Sequence, residues 1–130
     1  MSPELTYLTW SLVIVLGYLV VQVLEQIARN GLVIALTYQT DKEKPIGVLM
    51  QRFNASFSNF LVSYPAFISL VVIIALTNSS TELTALGAAI WFWARIAHIP
   101  AHVSGLPVIR TLVWATSMAG LVMMLYPLLT

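Results

Sequence analysis

The chain is 130 residues long, 59% hydrophobic and 8% charged, with a formal net charge of +1. That is the length of one domain, and its charge content is about a third of that of an ordinary soluble domain; a mean hydropathy of +0.90 places it in a bilayer. The small net charge excludes a nucleic-acid partner. The absence of cysteine excludes disulfides, thiolate metal sites and a cysteine nucleophile, so any thiol chemistry must use a thiol brought by a substrate.

The opening stretch, MSPELTYLTWSLVIVLGYLVVQVL, lacks a basic n-region and a small-residue cleavage site, and its apolar run is too long for a secretory signal. It reads as a first transmembrane helix, over 5–37. Near its end Gln22, Glu25, Gln26, Arg29 and Asn30 follow i, i+3, i+4, i+7, i+8 spacing and share one helical face, which cannot point at lipid. The segment YQTDKEKPIG (38–47) is a charged loop closed by Pro45 and Gly47. A second span covers 47–77, with Arg52, Ser56, Asn59 and Ser63 as a polar stripe.

TNSST (77–81) is a small polar turn before a third span, 83–104, in which Arg95, His98 and His102 lie at i, i+3, i+7. SGLP (104–107) is so short that the third span and the fourth, 107–128, must form an antiparallel hairpin. Each span meets the ~20 residues needed to cross a hydrocarbon core. The expectation is an all-α integral membrane four-helix bundle, one transmembrane domain over 1–130, with both termini on the same side.

All six basic residues, Arg29, Lys42, Lys44, Arg52, Arg95 and Arg110, lie towards the side of the first and third loops, whereas the other side has only Glu4 and Glu82. By the positive-inside rule those loops face the cytoplasm and both termini face away from it.

Ionisable groups at membrane depth are costly unless paired or hydrated, so they mark a functional cavity by default. The structural alternative is an internal ion pair such as Glu25 with Arg29. Across the bundle the charges do not balance: Arg29, Arg52, Arg95 and Arg110 outnumber Glu25, the one acid in the same region outside the loop. Surplus guanidinium groups suit an anionic ligand, because arginine keeps its charge and presents a fork that fits carboxylates. His98 and His102 have the i, i+4 spacing of a metal-binding pair, but Pro100 lies between them, no acid flanks them and neighbouring cations repel a metal, so no metal site is expected. Pro100 reads as a kink, Trp91, Phe92 and Trp93 as a lipid-facing or interfacial set, and Gly17, Gly87 and Gly120 as points of close helix contact. The sequons at Asn54 and Asn78 are short patterns that chance supplies.

The pattern Arg95, His98, His102, Gly105, Arg110, followed by TLVWA (111–115), resembles the third-to-fourth helix hairpin of the MAPEG family, the membrane-associated proteins of eicosanoid and glutathione metabolism; Arg52, Asn59, Pro65 and Phe67 resemble its second-helix signature. The resemblance implies a bacterial-type member in the inner membrane, a homotrimer with glutathione bound between subunits near the cytoplasmic face. It implies a glutathione-dependent transferase or peroxidase acting on lipophilic electrophiles or lipid hydroperoxides drawn from the surrounding lipids. Arg110 resembles the arginine credited with stabilising the thiolate. Arg52 and Asn59 resemble tripeptide-binding residues, with Arg95 and Arg29 as further positions. His98 or His102 then donates or shuttles a proton.

This reading agrees with the residues themselves: glutathione is an anionic tripeptide whose thiol, with a pKa near ~8.5, needs a nearby cation to be thiolate at neutral pH. The departures are also specific. Ala55 stands where the family normally has arginine and Val62 where it has glutamate, His98 and His102 replace tyrosines, and Thr40-Asp41 stands where many relatives have Arg-Asp. Ala55 and Val62 favour a second reading, a non-catalytic scaffold, lipid-binding protein or accessory subunit of a membrane complex. A third, a small proton-coupled carrier using Glu25 and the histidines, needs a path between subunits, since one chain makes only one short bundle.

Overall fold

The computed structural model describes residues 1–37, 42 and 44–130; Thr40 and Asp41 lie outside the described residues. The elements are α1 (Pro3–Asn30), α2 (Leu32–Thr37), α3 (Val48–Thr77), α4 (Glu82–Val103) and α5 (Pro107–Leu129). Local chemistry sets their ends. Ser2 caps α1 by accepting from the Leu5 amide, with Pro3 and Glu4 in the first turn. Thr81 and Thr84 form a reciprocal capping box at the start of α4, and Asn78 closes α3 in the left-handed conformation. Pro65, Pro100 and Pro127 all remain inside continuous helices.

The apolar pattern over 5–37 does not make one helix. Gly31 adopts φ 88°, ψ 159° and ends α1, and α2 resumes one residue later. The break falls between the polar end of α1, with Glu25, Gln26, Arg29 and Asn30, and the renewed apolar run that begins at Leu32. By length and composition α1, α3 and α5 are able to cross a membrane. Helix α4 is 22 residues long but carries Arg95, His98, Pro100 and His102, which lower its hydropathy.

The inward face of α1 is polar. Glu4, Ser11 and Tyr18, spaced by seven, are buried, while Trp10, Leu16 and Leu24 are 57%, 61% and 60% exposed. Each buried residue reaches another helix or turn. Glu4 accepts from Ser80 Oγ and from Thr84 Oγ1 (2.6 Å); Ser11 Oγ and Tyr64 OH lie 2.7 Å apart, and Tyr18 OH and Ser56 Oγ 2.8 Å. Farther along, Gln22 donates to Asn54 Oδ1 at 3.0 Å. In lipid, where apolar side chains gain little by turning inward, such bonds and close packing hold helices together.

Aromatic rings from α3 and α4 fill the centre, with Phe60, Phe67 and Trp91 fully buried. Phe67 stacks on Trp91 with centroids 3.9 Å apart and planes 9° from parallel. This corrects the expectation for the aromatic triplet: Trp91 and Phe92 are buried and Trp93 alone, 60% exposed, faces outward. Successive helical residues are turned ~100° from one another, so a run of three cannot share a lipid face.

Helices α4 and α5 make the closest pairing. A Cβ on Gly87 would lie 2.6 Å from the Gly120 carbonyl oxygen, and one on Gly120 equally close to that of Gly87, so the backbones cross where neither side can carry a side chain. A Cβ on Gly17, by contrast, would meet nothing within 4 Å; it marks no helix contact within the chain.

Candidate functional site

The turn between α4 and α5 fixes one end of the site. Gly105 takes φ +77°, and its bare Cα leaves room for Arg52, whose Cζ would be 2.8 Å from any Cβ placed there. Arg52 Nη1 donates to the Val103 carbonyl at 3.2 Å, tying the start of α3 to the end of α4. The charge of Arg52 thus sits on the turn.

About two helical turns deeper along α4, Arg95 is 1% exposed. Its Nη2 donates to Asn59 Oδ1 at 2.9 Å and its Nη1 to Ser117 Oγ at 3.4 Å, so one guanidinium joins α3, α4 and α5. Cζ also stands 5.6 Å from the centre of the Phe60 ring, a cation–π distance. Its Nε has no partner.

His98, 1% exposed, is bonded through Nδ1 to Ser56 Oγ at 3.1 Å, and Ser56 in turn to Tyr18. Its Nε2 has no partner, nor does Nδ1 of His102, whose ring centre is 5.2 Å from that of His98. These rings open onto a cavity of about 230 Å³ lined by Asn59, His98, His102, Arg110, Thr111 and Trp114. Arg110 is exposed and lies in the opening turns of α5, which begins at Pro107 with no side-chain cap; the positive end of a helix dipole adds to its charge.

Thus Asn59, His98, His102 and Arg110 share one cavity, with Arg95 directly behind Asn59. Arg29 is engaged elsewhere: its Nε is 2.8 Å from Glu25 Oε1 and its Nη1 donates to the Lys44 carbonyl. The i, i+4 ion pair therefore forms on α1, and it leaves the imbalance at the cavity in place. Among the described residues no carboxylate pairs with Arg52, Arg95 or Arg110. The Arg110 guanidinium at the cavity and that of Arg95 behind Asn59, neither paired with a carboxylate among the described residues, together with buried ring nitrogens that lack a partner there, form a set suited to an anion. Ala55 and Val62 are both exposed on the outer side of α3, Val62 by 83%.

Sequence reasoning assigned no role to Thr111, Trp114, Ser117 or Tyr18. The first two lie within the TLVWA stretch, and Tyr18 belongs to the seven-residue series 4, 11, 18, a spacing visible in the sequence once polar residues in an apolar helix are counted. A second hollow, about 420 Å³, lies between α1 and α4, lined by Thr6, Tyr7, Trp10, Phe92, Trp93 and Ile96. It is apolar and separate from the arginines.

No curated protein and no solved structure matches the chain. The model of the MAPEG family matches residues 7–130, nearly the whole length. With three long apolar helices in an all-helical fold, the chain is an integral membrane protein that belongs to the MAPEG family.

Proposed function

We propose that this chain is a glutathione-dependent transferase or peroxidase acting on lipophilic electrophiles or lipid hydroperoxides. The observation that carries this reading is the cavity formed by Asn59, His98, His102 and Arg110 with Arg95 behind it, rich in donors and without a carboxylate among the described residues. Arg110, exposed at the cavity rim, stabilises the thiolate of the tripeptide; Arg95, through Asn59, positions one end of it. A thiolate beside a guanidinium persists at neutral pH, where a free thiol is mostly protonated. The hydrophobic co-substrate arrives through lipid, so binding brings together partners from two phases.

The proposed assembly is a homotrimer of four-span subunits in the bacterial inner membrane, with both termini on the non-cytoplasmic side. Two observations support it: the cavity is open on one side in the single chain, and the outer face of α3 that carries Ala55 and Val62 is uncovered.

A second reading rests on those same two residues. Losing the arginine and glutamate normally found there removes charge-assisted hydrogen bonds worth about 1.5 to 3 kcal/mol each, which together weaken binding by at least a few hundred-fold. A scaffold, a lipid-binding protein or an accessory subunit would tolerate that loss.

Calorimetric titration of the detergent-purified protein with glutathione separates the two. The enzyme reading expects binding accompanied by a thiolate absorbance that Arg110→Ala abolishes, with kcat/KM lowered about 10²- to 10³-fold, as for loss of one preorganised charge stabiliser. No binding at millimolar glutathione leaves the scaffold reading.

A further inference from the structure

The bonds that reach His98 from behind fix which of its nitrogens carries a proton. Tyr18, Ser56 and His98 are 2%, 0% and 1% exposed and form a continuous chain across three helices, from Tyr18 OH to Ser56 Oγ (2.8 Å) to His98 Nδ1 (3.1 Å). Nδ1 can accept from Ser56 or donate to it, and where the leftover hydrogen falls decides between the two. If Tyr18 donates to Ser56, the serine hydrogen is free to bond Nδ1, which must then be the bare acceptor; the hydrogens behind the ring are all placed, and the one left over, on Nε2, faces the cavity. If Nδ1–H donates instead, either Ser56 passes its hydrogen to Tyr18 and the phenol hydrogen is left over, or Tyr18 also donates to Ser56 and the serine hydrogen is; in both cases it is enclosed between the helices with no acceptor among the described residues. Burying an unmatched donor costs its full desolvation. A doubly protonated ring also donates through Nδ1 and leaves the same enclosed hydrogen unmatched.

The phenol cannot turn away to escape this. Its ring stacks on Phe57 (4.7 Å, 20°) and is tilted against Phe53 and Phe60 at 5.0 and 5.9 Å. On the far side of the imidazole, Nε2 is buried and without a partner, next to the cavity that His98 lines.

We propose that Tyr18 and Ser56 are positioning residues that hold His98 as its Nε2–H tautomer, so that it faces the anionic occupant of the cavity as a neutral hydrogen-bond donor. Neither residue touches the cavity. Their effect passes through the ring, as a carbonyl or carboxylate behind a catalytic histidine sets which nitrogen is protonated. His98 then serves beside Arg110 in anion recognition, and proton shuttling falls to His102, whose Nδ1 no such chain occupies. The identity of the occupant rests on the proposed glutathione site; the tautomer does not.

Nitrogen NMR of the full-length protein labelled with ¹⁵N-histidine reads the tautomer directly, and with two histidines in the chain a His102→Gln sample assigns the signals. The expected spectrum gives His98 as Nε2–H in the wild type, shifts it towards Nδ1–H or a mixture in Ser56→Ala, and restores it in Ser56→Thr. Tyr18→Phe leaves the serine hydrogen free to turn and produces a mixture. Nδ1–H in the wild type overturns the proposal, and so does an unchanged tautomer in Ser56→Ala. In a titration with reduced glutathione, the His98 Nε2 resonance should move, and Ser56→Ala should weaken binding about tenfold; binding that leaves that resonance in place contradicts the donor role. If calorimetry finds no glutathione binding at all, the proposed function fails while the wild-type tautomer still decides this inference.

Discussion

At the scale of single residues, Arg95 shows how a charge is kept in the centre of an apolar chain. Two of its nitrogens are bonded and its face lies over Phe60, but the third, Nε, has no partner among the described residues. Lysine carries the same charge as a single point and cannot span Asn59 and Ser117 together. Arg95→Lys is therefore expected to lower stability by about 1 to 3 kcal/mol, measured as an earlier midpoint in denaturing detergent, and to weaken glutathione binding as Asn59 loses its anchor. Equal stability of variant and wild type would show that the fork is not needed. The stripe of Arg95, His98 and His102 was legible in the sequence because ionisable residues at helical spacing stand out against so apolar a background. The fixing of His98 from behind was not, since Tyr18 and Ser56 are distant in the chain and each is unremarkable alone.

At the scale of elements, the α4–α5 hairpin depends on two backbone approaches. Gly105 combines a positive φ with the nearby Arg52 guanidinium, so Gly105→Ala adds backbone strain and displaces the clamp. A loss of about 1 to 3 kcal/mol is expected, and pairing it with Arg52→Ala should recover the steric part; additive losses would mean that the two do not meet. The attachment of α1 is of another kind, by side-chain hydrogen bonds at steps of seven. A double-mutant cycle of Ser11→Ala with Tyr64→Phe should return a coupling of about 0.6 kcal/mol, the mean for such bonds between membrane helices, and at most about 1.7 kcal/mol; a value near zero would assign the hold to packing. Helix existence was legible from hydropathy alone, and the Gly87–Gly120 crossing from the residue type. The break at Gly31 is passed over when 5–37 is read as one span, although polar residues ending at Asn30 precede it and the glycine marks it; the inward-facing Trp91 was not legible, because an apolar run looks the same whether it faces lipid or fills a core.

For the whole molecule, length matters. At 1.5 Å per residue, α1 and α3, with 28 and 30 residues, extend about 42 and 45 Å, well beyond a hydrocarbon core of about 30 Å; α4 and α5, with 22 and 23, nearly match it. The cavity lies towards the α4–α5 turn, so in the proposed orientation it meets water at one end and lipid along its side. Native mass spectrometry from detergent is expected to find three chains. A stable single chain that binds glutathione would show that the open side of the cavity needs no neighbour. Oligomeric state was not legible in the sequence beyond the family resemblance, since helix periodicity specifies which face is polar and not which copy covers it.

The row of Glu4, Ser11 and Tyr18 also constrains how the chain is made. A first helix whose lipid-facing surface is apolar can enter the bilayer alone, before its partners exist, with three polar groups temporarily unmatched. Once α3 and α4 follow, sliding α1 by a single turn would break the bonds to Ser80, Thr84, Tyr64 and Ser56 together. Docking of the first helix is thus selected by register, and the same docking completes the support behind the cavity.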